Sequence, residues 1–268
     1  MFKTLIEITK DIVHWRGQIQ RLAVFDLIKK SRGAVFSWAW LFSKPLFFIF
    51  VFWFTLEIGL RAGTDMNPPY FLWLVAGLIP WFFIQDILGP GSNVLQRYSY
   101  LVNKIKFPIS GIPLIFSIST MYIHVGLVIV LIGISVFMKV PLDIYLLQVP
   151  LLIILMFMFF YLYSLFTSLL SAISKDFANL IQTLVTPVFW LSGVIFDPAS
   201  VKTPWIRIVL LFNPVTFFTS AYRDAVYYRV WFWDRPHAVA AISFVAVITL
   251  IVMLALYKRL AKEVPDVL

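Results

Sequence analysis

Six stretches of this chain are apolar over about 20 residues or more, the length a helix needs to cross the hydrocarbon layer of a bilayer. They run from about Phe36 to Leu60, Tyr70 to Leu88, Ile109 to Met138, Ile144 to Ile173, Ala178 to Phe196 and Ala238 to Tyr257. There is no water at that depth, so every backbone N–H and C=O must be bonded within its own segment, and such stretches form helices. Composition agrees: 61% of residues are hydrophobic and 13% charged, against about 25% charged in soluble domains. A water-soluble fold and a disordered chain are both excluded. The expected fold is an all-α integral membrane protein of six transmembrane helices, a single transmembrane domain over 1–268. Residues 1–33 form an arm, 34–258 the six-span core and 259–268 a tail.

Local breakers refine this picture. Pro80 lies inside the second stretch and Gly89-Pro90-Gly91 follows it, so that helix breaks near one membrane face. Pro187 sits in the middle of the fifth. The arm lacks the continuous apolar core of a signal peptide. Leu5, Ile8, Ile12, Trp15, Ile19 and Leu22 recur there at intervals of 3 and 4, with Lys3, Lys10 and Arg16 largely off that line. The pattern predicts an amphipathic interfacial helix with its stripe in lipid, a helix packed on protein being the other reading. Between Asp197 and His237 the apolar pieces are too short to span and are bounded by Pro204, Pro214 and Pro236. They predict re-entrant or interfacial helices between spans 5 and 6.

Charge sets the orientation. The chain has 22 Lys+Arg, 13 Asp+Glu and a net charge of +9. Seven cations lie in the arm, three between the second and third spans, one between the fourth and fifth, and three in the tail. The opposite side has seven: Arg61, Lys139, Lys202, Arg207, Arg223, Arg229 and Arg235. The bias puts both termini in the cytoplasm. The five cations after Asp197 run against the rule. Basic residues spread among loops form no dense patch, so nucleic acid is not an expected partner.

The chain contains no phosphate-binding loop of the G-x-x-x-x-G-K-[ST] type, no H-E-x-x-H and no G-x-S-x-G. It has no cysteine, and His14, His124 and His237 are far apart in sequence. No ATPase, metal or catalytic site is expected in the chain itself. Lys44, Glu57, Asp86 and His124 fall within spans, where such groups usually face protein or water. Snorkelling by Lys44 and Glu57 and helix–helix hydrogen bonding by Asp86 and His124 is the plain reading; a polar path or proton relay is the functional one. Aromatic residues reach 18% of the chain. Most fill helix contacts or interface belts, but rings on the first two spans, among them Trp40, Trp73, Trp81, Phe82 and Phe83, also suit a path on which sugar rings slide. The basic, aromatic segment Gln96–Pro108 reads as an amphipathic connector or as a docking helix for a soluble partner.

The order of these parts resembles the membrane subunit of type-2 ATP-binding-cassette exporters for cell-surface polysaccharides, and most of all the teichoic acid export permeases. The residues that carry the likeness are Gln20-Arg21-Leu22-Ala23, the Trp40…Pro45 spacing, Trp73-Leu74-Val75-Ala76-Gly77 with Trp81-Phe82-Phe83, Asn103-Lys104-Ile105-Lys106-Phe107-Pro108 with Ile112-Pro113, Lys175-Asp176, and Asn213-Pro214 followed by Tyr222-Arg223. Phe36-Ser37 and Ser192-Gly193-Val194 depart from commoner family patterns.

The resemblance implies a homodimer in a bacterial cytoplasmic membrane, with two copies of a separate ATPase that binds ATP and Mg. It implies coupling through Tyr98, Tyr100, Leu101, Lys104 and Lys106. It implies a path lined by the first, second and fifth spans, with Trp40, Trp73, Trp81, Phe82 and Phe83 near it. The implied cargo is a lipid-linked teichoic acid, whose diphosphate Arg21, Lys29, Lys30 and Arg32 are placed to meet. O-antigen, rhamnan and capsular polysaccharide are the alternative cargoes. A membrane-embedded lipid-modifying transferase, needing an acid and a base near headgroup level, and a channel or ion-coupled carrier are the competing functions.

Overall fold

The arm's 3-and-4 spacing forms one long helix, α1 (Phe2–Ser31), with Lys29 and Lys30 in its last turn, where the helix dipole favours cations. The structure, a computed structural model, describes residues 2–31, 38–63, 66, 68–105 and 107–267, with the backbone alone at Lys104 and Asp266. Next come α2 (Ala39–Trp53), which continues as a π-helical turn over Phe54–Gly59, and α3 (Tyr70–Leu88). A 3-10 turn leads to α4 (Val94–Arg97) and α5 (Ser99–Ile105), then α6 (Gly111–Phe137) and α7 (Gln148–Ile173). The chain ends with α8 (Lys175–Leu191), α9 (Pro204–Leu211), α10 (Pro214–Arg223), α11 (Pro236–Leu260) and α12 (Val264–Val267). Among the described residues there is no strand.

Among the described residues five helical stretches are long and apolar enough to cross a membrane: Ala39–Gly59, Tyr70–Asn103, Gly111–Phe137, Ile144–Ile173 and Pro236–Leu260. The expected fifth span, 178–196, is the 17-residue α8, about 25 Å long against a hydrocarbon layer of ~30 Å. It ends early because Gly193 adopts φ +69°, a left-handed conformation that a helix cannot continue through. The segment expected to re-enter forms α9 and α10, both opened by a proline at the first turn.

The arm departs from the interfacial expectation. Its apolar stripe packs on α6 instead of lipid: Ile8 and Ile19 are buried, Trp15 meets the Phe107 ring edge-on at 4.9 Å, and the Gln20 amide donates to the Tyr122 hydroxyl. Apolar side chains off that stripe, Phe2, Ile6, Val13, Val24 and Phe25, are exposed. A helix with apolar residues on two faces satisfies one of them against its own protein.

At the centre stands α3. It is apolar on every side, and nearly all of it is buried by α2, α6, α7, α8 and α10. Its end follows from sequence. Pro90 cannot donate, and the Gly89 carbonyl instead accepts from Ser92 N at 3.0 Å and Gln182 Nε2 at 2.8 Å. That break turns α4 and α5 back across the end of the bundle towards α1.

Candidate functional site

A cavity of about 510 Å³ lies where α1, α2, α3, α4 and α6 meet. Aromatic rings of Trp40, Phe48, Phe82 and Phe83 line one part. Lys30, Lys44, Arg97, Asp86 and His124 supply the polar part. The cations outnumber the carboxylate, so the cavity favours an anion beside an apolar or sugar-like surface. Lys44 and Arg97 are exposed and make no ion pair among the described residues.

Lys30 is held more firmly. Its Nζ lies 3.2 Å from Asp26 Oδ2, one turn back on α1, and donates to Ser119 Oγ at 3.0 Å and Thr120 Oγ1 at 3.2 Å on α6. The Phe116 ring lies beneath it, 4.5 Å away. Burial works against the charged Asp26, but the Lys30 ammonium and hydrogen bonds from Tyr98, Ser119 and Lys30 prevail and hold its carboxyl below the usual value. Burial also lowers Lys30, against the pull of Asp26 and Asp86. Tyr98, between α4 and α5, donates its hydroxyl to Asp26 Oδ1. A continuous polar link therefore runs from the α4–α5 segment through Asp26 to a cation on the cavity wall.

Beside the cavity, α2, α3 and α8 share an aromatic cluster. Phe48 stacks on Phe52 at 4.6 Å and meets Phe82 and Phe189 edge-on, each at 5.7 Å. Trp81 and Trp190 flank Phe189 at 5.2 and 5.5 Å. Next to it, α8 exposes a polar row: Asp176, Asn179, Thr183 and Thr186, followed by Trp190. The spacing is 3, 4, 3 and 4, one face of a helix. That row is the feature that reading for apolarity misses, and its period is the signal that would have found it.

The expected path residues therefore separate. Trp40, Phe82 and Phe83 line the cavity. Trp73 and Trp81 are buried in the core. Trp73 Nε1 donates to the Tyr228 hydroxyl at 3.0 Å, and the Arg223 guanidinium stacks 3.4 Å above its ring. Of the residues expected to meet a diphosphate, Lys30 reaches the cavity, Arg21 and Lys29 are exposed elsewhere on α1, and Arg32 lies outside the described residues. Tyr98 and Leu101 turn into this chain's own core, whereas Tyr100 is exposed. The Lys104 side chain and Lys106 lie outside the described residues.

Arg223 is a fully buried cation. Its Nε donates to the Trp73 carbonyl at 3.2 Å, its Nη1 to Gly193 O at 2.7 Å and its Nη2 to Val194 O. A Cβ at Gly77 would overlap the guanidinium, which is why α3 has a glycine there. The neighbouring Tyr222 hydroxyl meets His124 Nε2 at 2.8 Å, halfway along α6. Thus α10 is inserted deep between α3 and α7, pinned by polar groups at every turn.

Residues 17–227 match the family model described as "ABC-2 type transporter". The chain belongs to that family. The match takes in the cavity, the aromatic cluster, the α8 row and Arg223 of this ABC-2 transporter chain, and stops before α11. Among curated proteins it is similar to an O-antigen export system permease protein RfbA of Myxococcus xanthus, 22% identical over 246 residues, covering 90% of this chain and 92% of the relative. Two proteins of the same description from Klebsiella pneumoniae are 22% and 20% identical, covering 91% of this chain and 92% of each relative. A multi-pass membrane protein of an ABC-2 family is thus established, and what it carries is a separate matter.

Proposed function

We propose that this chain is the membrane half of an ATP-driven exporter of a lipid-linked cell-surface polysaccharide. The observation that carries the reading is the exposed polar row Asp176, Asn179, Thr183 and Thr186 on α8, beside the aromatic face of α2. In a membrane chain such a row needs water or a polar cargo against it, because lipid leaves its polar groups unsolvated. Two copies facing each other through α2 and α8 enclose a path with hydroxyl, amide and ring surfaces, which guide a sugar chain without arresting it. In this reading α8 spans, α9 and α10 re-enter from the outer side, and both termini are cytoplasmic. ATP and Mg belong to a separate ATPase seated against the exposed side of α5 at Tyr100.

The relatives' names favour O-antigen as the polymer, and the motif order favours teichoic acid; we adopt the O-antigen class. The cargo's diphosphate is assigned to Lys30, Lys44 and Arg97 of the cavity rather than to Arg21 and Lys29. The transferase reading draws on one observation, that Asp86 and His124 line the same cavity. It loses force because His124 is buried with its Nε2 taken by Tyr222.

The test places the full chain with its ATPase in two bacterial hosts, one lacking its O-antigen permease and one its teichoic acid permease. Restored surface O-antigen is the expected result, and rescue of the teichoic acid host alone reassigns the polymer. In vesicles, cargo movement or lipid turnover by the chain without any ATPase overturns the reading. The absence of native cysteine gives a second test. Thr183→Cys and Thr186→Cys are expected to react with a hydrophilic thiol reagent much faster than Ile251→Cys on the exposed apolar side of α11.

A further inference from the structure

The cations after Asp197 that run against the orientation rule are only partly used by the fold. Arg223 is committed to three carbonyls, and Arg235 pairs with Asp224 at 2.6 Å while its side chain stays 47% exposed. Arg207 is exposed and makes no ion pair among the described residues. Both Arg207 and Arg235 line a second cavity of about 370 Å³ between α9, α10 and the start of α11. Its floor is apolar, with Leu210, Phe217 and Phe232 all buried. His237, also exposed, joins the two arginines on its wall. A smaller polar recess of about 150 Å³ shares Ser220, Asp224 and Arg235 with it.

On its outer side α9 exposes Trp205 and Val209, with Phe212 just after it and Ile208 at the cavity edge, so this eight-residue helix shows apolar side chains to its surroundings while Arg207 stays beside the cavity. That is the arrangement of a helix at headgroup depth, with apolar side chains in hydrocarbon and cations at the polar boundary. The floor of Leu210, Phe217 and Phe232 offers water no polar partner and in a bilayer is covered by hydrocarbon, while the polar groups stand on the wall. Guanidinium groups beside it recognise phosphate through paired N–H donors.

We infer that the cavity between α9, α10 and α11 is a binding site for one anionic phospholipid, with an acyl chain against Leu210, Phe217 and Phe232 and the phosphate between Arg207 and Arg235. The site accounts for two of the five cations that run against the orientation rule: Arg207 and Arg235 hold a lipid headgroup. It stands independently of which polymer is exported, because lipid retention requires neither cargo nor ATPase.

The test uses the full chain in nanodiscs of phosphatidylcholine and phosphatidylglycerol, released into the gas phase for native mass spectrometry. The expected result is one retained phosphatidylglycerol per chain. Arg207→Gln, at an exposed position that leaves the fold intact, is expected to lower that retention about fivefold, the effect of one cation near a lipid surface. Arg235→Gln acts in the same direction. Lys202→Gln removes a nearby exposed cation that does not line the cavity and is expected to leave retention unchanged. Equal retention of both lipids, an unchanged signal in Arg207→Gln, or an equal loss in Lys202→Gln overturns the proposal. So does displacement of phosphatidylglycerol by equimolar undecaprenyl phosphate, which would make the occupant the cargo lipid.

Discussion

The Asp26 carboxylate lies 3.2 Å from the Lys30 ammonium, one helical turn further along α1. It also accepts the Tyr98 hydroxyl from the α4–α5 segment, so one carboxylate joins that segment to the cavity wall. A displacement of α5 therefore has a short mechanical route to Lys30.

Asp26→Asn is expected to cost about 3 kcal/mol, the low end for breaking a buried pair, since Lys30 stays partly exposed. The folded carboxyl sits below its unfolded value, so its stabilisation is present above the unfolded pKa of ~3.9 and is lost as pH falls through the folded one. Thermal unfolding in detergent across that acid range checks this. The wild type loses stability on acidification, and Asp26→Asn loses less over the same range.

Tyr98→Phe and Tyr100→Ala separate transmission from docking. Tyr98 is buried and reaches Asp26, whereas Tyr100 is exposed. Tyr100→Ala is expected to weaken copurification of the ATPase. Tyr98→Phe is expected to leave copurification intact and lower cargo-stimulated ATP hydrolysis. Identical behaviour of the two variants would remove the distinction.

Trp40→Ala and Trp81→Ala should differ in kind. Trp81 is fully buried beside Phe189, and its truncation is expected to cost roughly 3–5 kcal/mol in thermal stability. Trp40 is exposed on the cavity wall, so Trp40→Ala is expected to keep its melting temperature and lose export. Surface polymer measured beside melting temperature separates the two.

Arg223→Lys is expected to destabilise by about 3 kcal/mol, because an ammonium cannot reach three carbonyls and stack on Trp73 at once. Gly77→Ala attacks the same clamp from α3 and is expected to cost about 1–3 kcal/mol by overpacking. Loss of monodisperse protein on size-exclusion chromatography after mild heating reads both.

How much was legible in the sequence differs from element to element. The end of α3 was, because Gly89-Pro90-Gly91 removes a donor and frees the backbone at a fixed place. The length of α8 was not: apolarity runs on to Phe196, and only the left-handed Gly193 ends the helix at Leu191. The Asx cap that starts α10 is local, Asn213 Oδ1 accepting from Val215 N at 2.9 Å, and its Asn-Pro pair was visible. That Arg223 nine residues later would be buried was not, since its three acceptors come from α3 and the turn after α8.

The sequence by itself determined that this chain lives in a membrane, that its central helix stops at Gly89-Pro90-Gly91, and that it holds no phosphate loop of its own. Those follow from solvent: apolar length and missing donors act residue by residue. Only the tertiary structure decided which aromatic rings line a cavity and which fill the core, and that the arm's apolar stripe lies on α6 rather than in lipid. The reason is that α3 is apolar on all sides, so Trp81 and Phe82 look alike in sequence, and the neighbour each one meets is set by helices distant along the chain.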